Sequence, residues 1–342
     1  MLIKIFDFHT FIKNISQSSG KKFTEVIAPV STGGDSLELT FRKINSTDNL
    51  ILEGYRSIDP LKILLYNIRE KVYPVKELIG KRIIAGIKAC DMKALRVMDK
   101  ALVNDNFIDY AYKQWRDTTY IISSDCTNIH TSCNCILVDG KPYTETGCDL
   151  NLSVVGDYYL IGVGSPKGEE LLALIKEDYT ILNSDDSARV QIEENRKRII
   201  EKLIAQNRKY LERGSYKDLR YKQSEIWKES SADCVGCGAC TNICPTCYCL
   251  ILNDESVVKE FVKVRSYDSC QLNGYARVAG GASPRPKIFQ RFRNRYLCKF
   301  DYMKSNFGQF GCTGCGRCTE TCPARIDFRD VIHGVQNYTL TT

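Results

Sequence analysis

Two cysteine runs constrain this chain more than anything else in it. The first is Cys234-Val-Gly-Cys237-Gly-Ala-Cys240-Thr-Asn-Ile-Cys244-Pro245, and the second is Cys312-Thr-Gly-Cys315-Gly-Arg-Cys318-Thr-Glu-Thr-Cys322-Pro323. Both follow C-x2-C-x2-C-x3-C-P, in which three thiolates wrap one [4Fe–4S] cubane and the fourth reaches the other cluster of a pair. The spacing therefore assigns Cys234, Cys237, Cys240 and Cys322 to one cluster. Cys312, Cys315, Cys318 and Cys244 hold the second. Gly236, Gly238, Gly314 and Gly316 let backbone N–H groups approach the cluster sulfides. Zinc sites use separate two-cysteine knuckles, which two identical four-cysteine runs do not match.

The remaining composition agrees with cluster chemistry in a reducing compartment. The chain has 342 residues and 17 cysteines, with 43% hydrophobic and 26% charged residues. That length suits two domains or one large one. The first residues carry Lys4, Asp7 and His9 inside their apolar run, so they do not read as a secretory signal. No stretch reaches the ~18 uncharged apolar residues of a membrane span. A cytoplasmic protein is expected, in which grouped cysteines are ligands rather than disulfides. The net charge of +7 suits a basic shell around anionic clusters.

Residues 1–218 read as an α/β domain. Short β-branched and aromatic runs predict strands over 23–30, 37–44, 82–88, 120–124 and 158–163. Periodicity predicts helices over 60–69, 92–103, 167–176 and 190–213. The last carries Ile192, Ile199, Ile200, Leu203, Ile204 and Leu211 on one stripe. A polar stretch over 214–232 marks the boundary. Beyond residue 233 the long strand patterns vanish. Residues 225–342 are expected to form a mainly helical two-cluster ferredoxin-type domain with a long insertion at about 250–308, because the motifs lie 78 positions apart, counting from Cys234 to Cys312.

Further strings carry a family resemblance. They are Gly86-Ile-Lys-Ala-Cys90-Asp91, Cys126-(x6)-Cys133-Asn-Cys135, Cys244-Pro-Thr-Cys247-Tyr-Cys249, Ser266-Tyr-Asp-Ser-Cys270, Ala279-Gly-Gly-Ala-Ser-Pro-Arg285 and Gly314-Cys-Gly-Arg-Cys318. In order and spacing the chain resembles the beta, iron–sulfur subunits of soluble [NiFe] sulfhydrogenases and the related iron–sulfur subunit of anaerobic sulfite reductase. The resemblance runs from about residue 58 to 332. It departs at Cys298, where relatives often carry His, and at Asn134, where they tend to have Phe. It implies an electron relay between a flavin- and NAD(P)-binding subunit and a catalytic oxidoreductase subunit of hydrogenase, sulfur or sulfite reductase, or heterodisulfide-reductase type.

Cys90, Cys126, Cys133 and Cys135 form a further set. Cys90 and Cys126 fall just after the strands predicted at 82–88 and 120–124, at the carboxyl ends where α/β sheets place ligands. Four thiolates there could hold a third [4Fe–4S] cluster; zinc or buried free thiols are the alternatives. The resemblance at all four positions favours the cluster. Cys148 is a weaker substitute ligand. Cys247, Cys249, Cys270 and Cys298 read first as buried thiols, with another metal site as the alternative. His130, between Cys126 and Cys133, is more readily loop content than a ligand.

Other patterns say less. Residues 285–304 interleave Arg and Lys with Phe and Tyr, which could suit single-stranded nucleic acid. Lying inside the cluster domain, the run reads better as a cluster shell or docking face, and no nucleic acid is expected. The glycine pairs Gly33-Gly34 and Gly280-Gly281 sit in no nucleotide-binding motif. The sequence thus points to a non-catalytic electron-transfer subunit with two, and with the N-terminal set three, clusters. The alternatives are a self-contained flavin-dependent reductase and an iron–sulfur protein that binds nucleic acid.

Overall fold

A computed structural model describes residues 1–17, 23–32, 38–78, 80–212, 214–257 and 260–338. Along the chain its strands are β1 (Leu2–Lys4), β2 (Phe23–Ser31), β3 (Leu39–Lys43), β4 (Arg69–Tyr73), β5 (Lys81–Ile87), β6 (Val103–Asn104), β7 (Phe107–Ile108), β8 (Thr119–Ser124), β9 (Leu150–Val155), β10 (Tyr158–Val163), β11 (Leu250–Val257) and β12 (Glu260–Tyr267). Seven of them form one sheet in the order β1-β10-β9-β8-β5-β2-β3. The central pairs β2/β5, β5/β8 and β8/β9 are parallel. Every residue of β8 is buried, and all of β5 except Lys81. Such near-continuous burial belongs to parallel strands covered on both faces.

The covering helices come from apolar stripes. The helices Ile5–Gln17 and Pro166–Asp178 supply Phe8, Phe11, Ile12, Leu171, Leu172 and Ile175 to the core on one face. On the other, Ala89–Leu102 and Tyr110–Thr118 supply Met92, Leu95, Met98, Leu102 and Tyr112. The N-terminal α/β sheet domain is therefore present as expected.

Three local expectations are corrected. The helix predicted over 60–69 is one turn, Lys62–Leu65. Arg69 instead opens β4, whose residues pair with β12, so tertiary pairing overrides the local helical pattern. The long helix runs Asp186–Gln206. It begins early because the Asp185 carboxylate accepts the Ala188 N–H at 3.0 Å, an N-cap. Ile192, Ile199 and Leu203 are buried, whereas Ile204 and Leu211 are exposed. The third correction lies in the C-terminal half, where strands do not vanish. β11 and β12 form an antiparallel hairpin that adds β4 as a third strand. Its signal is the alternation of Val262 and Val264 with Phe261 and Lys263. The pair Gly33-Gly34 lies outside the described residues.

A second core holds the motifs in place. Trp227, Phe292, Tyr296, Phe300 and Phe328 pack together, with Cys234, Cys312 and Cys318 against them. Tyr296 stacks on Phe328 with centroids 4.6 Å apart. Trp227 and Ile226 come from the polar stretch over 214–232, so that stretch packs inward rather than hanging between the halves.

Candidate metal centre

The two cysteine motifs trace one backbone path twice. Gly236 and Gly314 have φ of 67° and 68°, and Gly238 and Gly316 have 78° and 75°. A four-residue helix follows in each copy, Ala239–Asn242 and Arg317–Glu320. Positive φ is cheap only for glycine. In the second copy a side chain is also excluded by packing. A Cβ on Gly314 would collide with the backbone of Cys135, and one on Gly316 with Ser132.

The thiols gather across the copies. Cys234, Cys237 and Cys240 line one cavity together with Cys318, Cys322 and Pro323. Cys244 has Cys312 and Cys318 as electrostatic neighbours, and Cys315 lies beside both. Cys237 is exposed whereas Cys315 is buried. The Gly314 N–H donates to Cys312 Sγ at 3.4 Å, the kind of contact with which a glycine loop holds cluster sulfur.

The N-terminal set sits directly against the second copy. Cys126, Cys133 and Cys135 cluster with Ile199 and Leu203. The Asn134 N–H donates to the Gly314 carbonyl at 2.8 Å. Cys90, in the first turn of Ala89–Leu102, has Cys315 and Cys126 as neighbouring thiols. Cys148 does not join them: it is buried with Met92 and Ile121 in the sheet core. His130 donates its backbone N–H to Cys133 Sγ at 3.4 Å, but its ring faces Glu320 at 2.8 Å and Ser132 at 3.0 Å.

Buried cations surround the sulfurs. Burial lowers the Arg295 pKa, but the thiolates of Cys240, Cys318 and Cys244 more than offset it, and the group is held well above its ordinary value. Lys299 behaves in the same way against Cys244, Cys247 and Cys298. Lys88 faces Cys126 and Cys90, and Lys93 faces Cys312 and Cys135. Within the basic aromatic run, Arg291, Arg295 and Lys299 are buried, so those three point inward rather than offering a strand-binding surface.

Burial works against ionisation of three of these thiols. Burial pushes Cys126 and Cys312 up to about 12 and Cys318 up to about 11. Cys244 is an exception, pulled well below the usual thiol range by a hydrogen bond from Cys247. Metal coordination deprotonates such thiols outright. Buried polar atoms beside the motifs lack a hydrogen-bond partner in the protein, among them Arg295 Nε, Tyr296 Oη and Thr313 Oγ1. Orphaned donors next to cysteine-lined space suit the acceptor sulfides of a cluster. Among the described residues, no three His, Cys, Asp or Glu side chains converge as tightly as ligands of one metal ion. The residues present fit cubanes by their donor set, eight cysteines in two C-x2-C-x2-C-x3-C-P runs with buried cations beside them.

Comparison with known proteins agrees with this chemistry. Residues 233–326 match a family model described as a 4Fe-4S dicluster domain. Sulfhydrogenase 2 subunit beta of Pyrococcus furiosus is 32% identical over 305 residues, covering 86% of this chain and 88% of that protein. F420-dependent formate dehydrogenase subunit beta of Methanocaldococcus jannaschii is 24% identical over 178 residues, covering 52% of this chain and 38% of that protein. No solved structure matches. No helix among the described residues is long and apolar enough to cross a membrane. With two [4Fe–4S] runs in a dicluster domain and this likeness along most of its length, the chain belongs to the sulfhydrogenase beta-subunit family of iron–sulfur electron-transfer proteins.

Proposed function

We propose that the chain carries single electrons between a flavin- and NAD(P)-binding subunit and a catalytic subunit of a cytoplasmic oxidoreductase complex. One observation carries the reading: the second motif touches both other thiol sets. Cys318 and Cys322 share the cavity of Cys234, Cys237 and Cys240, while Gly314 rests on the loop of Cys133 and Cys135. The thiols form one row, from exposed Cys237 through buried Cys315 to Cys126 and Cys90.

In this reading Cys234, Cys237, Cys240 and Cys322 hold one cluster, and Cys312, Cys315, Cys318 and Cys244 the second. Cys90, Cys126, Cys133 and Cys135 hold a third. A bound [4Fe–4S] cluster gains and loses one electron at a time. The protein orients it with glycine N–H groups, excludes water with the core of Tyr296 and Phe328, and sets local charge with Arg295, Lys299, Lys88 and Lys93. Residues 1–218 and 225–342, with an insertion at about 250–308, are the units that carry the third site and the first two.

The test is Cys315→Ser in the anaerobically purified complex. Physiological turnover should be lost, while the flavin-bearing partner still reduces artificial dyes. Turnover that survived the change would overturn the relay.

A further inference from the structure

Five cysteines remain outside the row; Cys148 lies in the sheet core, and the fold brings the other four to one place. β11 and β12 pair from Leu250 opposite Tyr267, so Cys249 and Cys270 flank the open end of the hairpin. The Asp268 N–H donates to the Cys249 carbonyl at 2.9 Å, which fixes the two flanks against each other. Cys298 comes from a third element: it opens the π-helical turn Cys298–Tyr302 that follows the helix Ile288–Leu297. Such turns recur at functional sites.

These sulfurs face common groups. The Tyr275 hydroxyl is 3.9 Å from Cys249 Sγ, and its other thiol neighbours are Cys270 and Cys298. Cys298 in turn faces Cys270, and Cys249 faces Cys298. The Gln271 amide donates to Cys270 Sγ at 3.4 Å while its second bond, 3.0 Å to the Arg291 carbonyl, holds it in place. Cys247 lies beside Cys244 and shares Lys299 with Cys298. The Lys62 ammonium clamps the segment that leads in, donating to the carbonyls of Asn242 and Cys247 at 3.1 and 3.0 Å. Three elements thus supply thiols, two donors aim at sulfur, and a buried lysine offsets negative charge.

We propose that Cys249, Cys270 and Cys298, with Cys247 as the fourth thiolate, hold an additional [4Fe–4S] cluster beside the one assigned to Cys244. The choice of cluster over zinc follows from the setting, in which these thiols adjoin Cys244 and its motif rather than forming a pair of two-cysteine zinc knuckles. The sulfur-directed donors and Lys299 match what stabilises an anionic cluster. Cys247 stands against Cys244, so this cluster joins the row at its middle. The relay then has a branch there rather than a single line.

The test uses the full chain, produced and purified without oxygen, in unaltered form and as the double variant Cys249→Ser/Cys298→Ser. The variant should hold about four fewer iron atoms and about four fewer acid-labile sulfides, with the other clusters' electron paramagnetic resonance signals retained. Unchanged iron, or loss of one zinc instead, overturns the proposal. Should the double variant not fold, native mass spectrometry of the Cys126→Ser chain answers the same question. Three cluster masses are expected there and two would overturn the proposal, whatever the N-terminal cysteines of the unaltered chain bind.

Discussion

Arg317 and Asp91 form a two-pronged ion pair at 2.8 and 2.7 Å, with both side chains 1% exposed. One belongs to the second cysteine motif and the other to the helix that carries Cys90. The guanidinium also donates to the carbonyls of Ser57, Ile58 and Asp59. The pair thus joins the N-terminal sheet domain to the cluster domain. Removing one member strands a buried charge, which costs about 3–5 kcal/mol. Arg317→Ala should lower stability by about that amount. Anaerobic guanidinium titration checks it, and an unchanged midpoint would refute the role.

Gly314→Ala tests the contact between the second motif and the Cys133–Cys135 loop. The backbone at φ 68° costs an L-residue roughly 1–2 kcal/mol, and the new methyl meets the Cys135 backbone. The substitution should release iron from the N-terminal set. Gly280→Ala, where a Cβ meets nothing within 4 Å, should leave iron content unchanged.

Arg295→Met probes the charge that the protein places near the motif thiols. The guanidinium lies among Cys240, Cys318 and Cys244, and losing a buried cation makes adding an electron harder. Reduction potentials should fall by on the order of 50–100 mV, read by redox titration with paramagnetic resonance. Lys304→Met, at a side chain 40% exposed, should shift them far less because solvent screens it. Equal shifts would show that Arg295 has no special place.

His9 supplies a pH dependence that does not involve a cysteine ligand. Its ring is 3.1 Å from the Tyr159 hydroxyl and 3.7 Å from Glu53. Burial lowers its pKa from 6.5, with Glu53 pulling the other way and Lys13 adding to the fall. A depressed histidine binds more protons unfolded than folded, so its contribution is present above 6.5 and is lost as pH falls below it. His9→Gln should flatten the acid side of the stability curve between about pH 5 and 6.5. Thermal unfolding at several pH values measures this, and an unchanged slope would dismiss it.

The local parts of the fold are readable in the sequence because each follows from short-range chemistry. The central strands announce themselves as Ile-rich runs, and the motif glycines mark turns that only glycine adopts easily. What escapes such reading is non-local. The pairing of β4 with β12 depends on residues distant in sequence, so Arg69 reads as helical in its local context. The burial of Arg265 against Glu70 and Asp109 has no signature in the residues around it. Cys148 and Cys126 look alike in sequence, yet one lies in the sheet core and the other beside Cys133. Only the assembled fold separates them.

The hydrogen bond from Asn134 to Gly314 also bears on how the protein is made. A ribosome releases the loop of Cys133 and Cys135 long before the glycine that backs it. The sheet domain has its own core and can fold as it emerges, and Ile199 and Leu203 already back one side of that loop, but its face toward Gly314 stays open until the second motif is synthesised. In the proposed ligand sets Cys244 likewise waits for Cys312. Under the proposed ligand sets, loading of metal waits until residues 312–322 are made, and truncation just short of residue 312 should leave the Gly314-facing side of the Cys133–Cys135 loop uncovered.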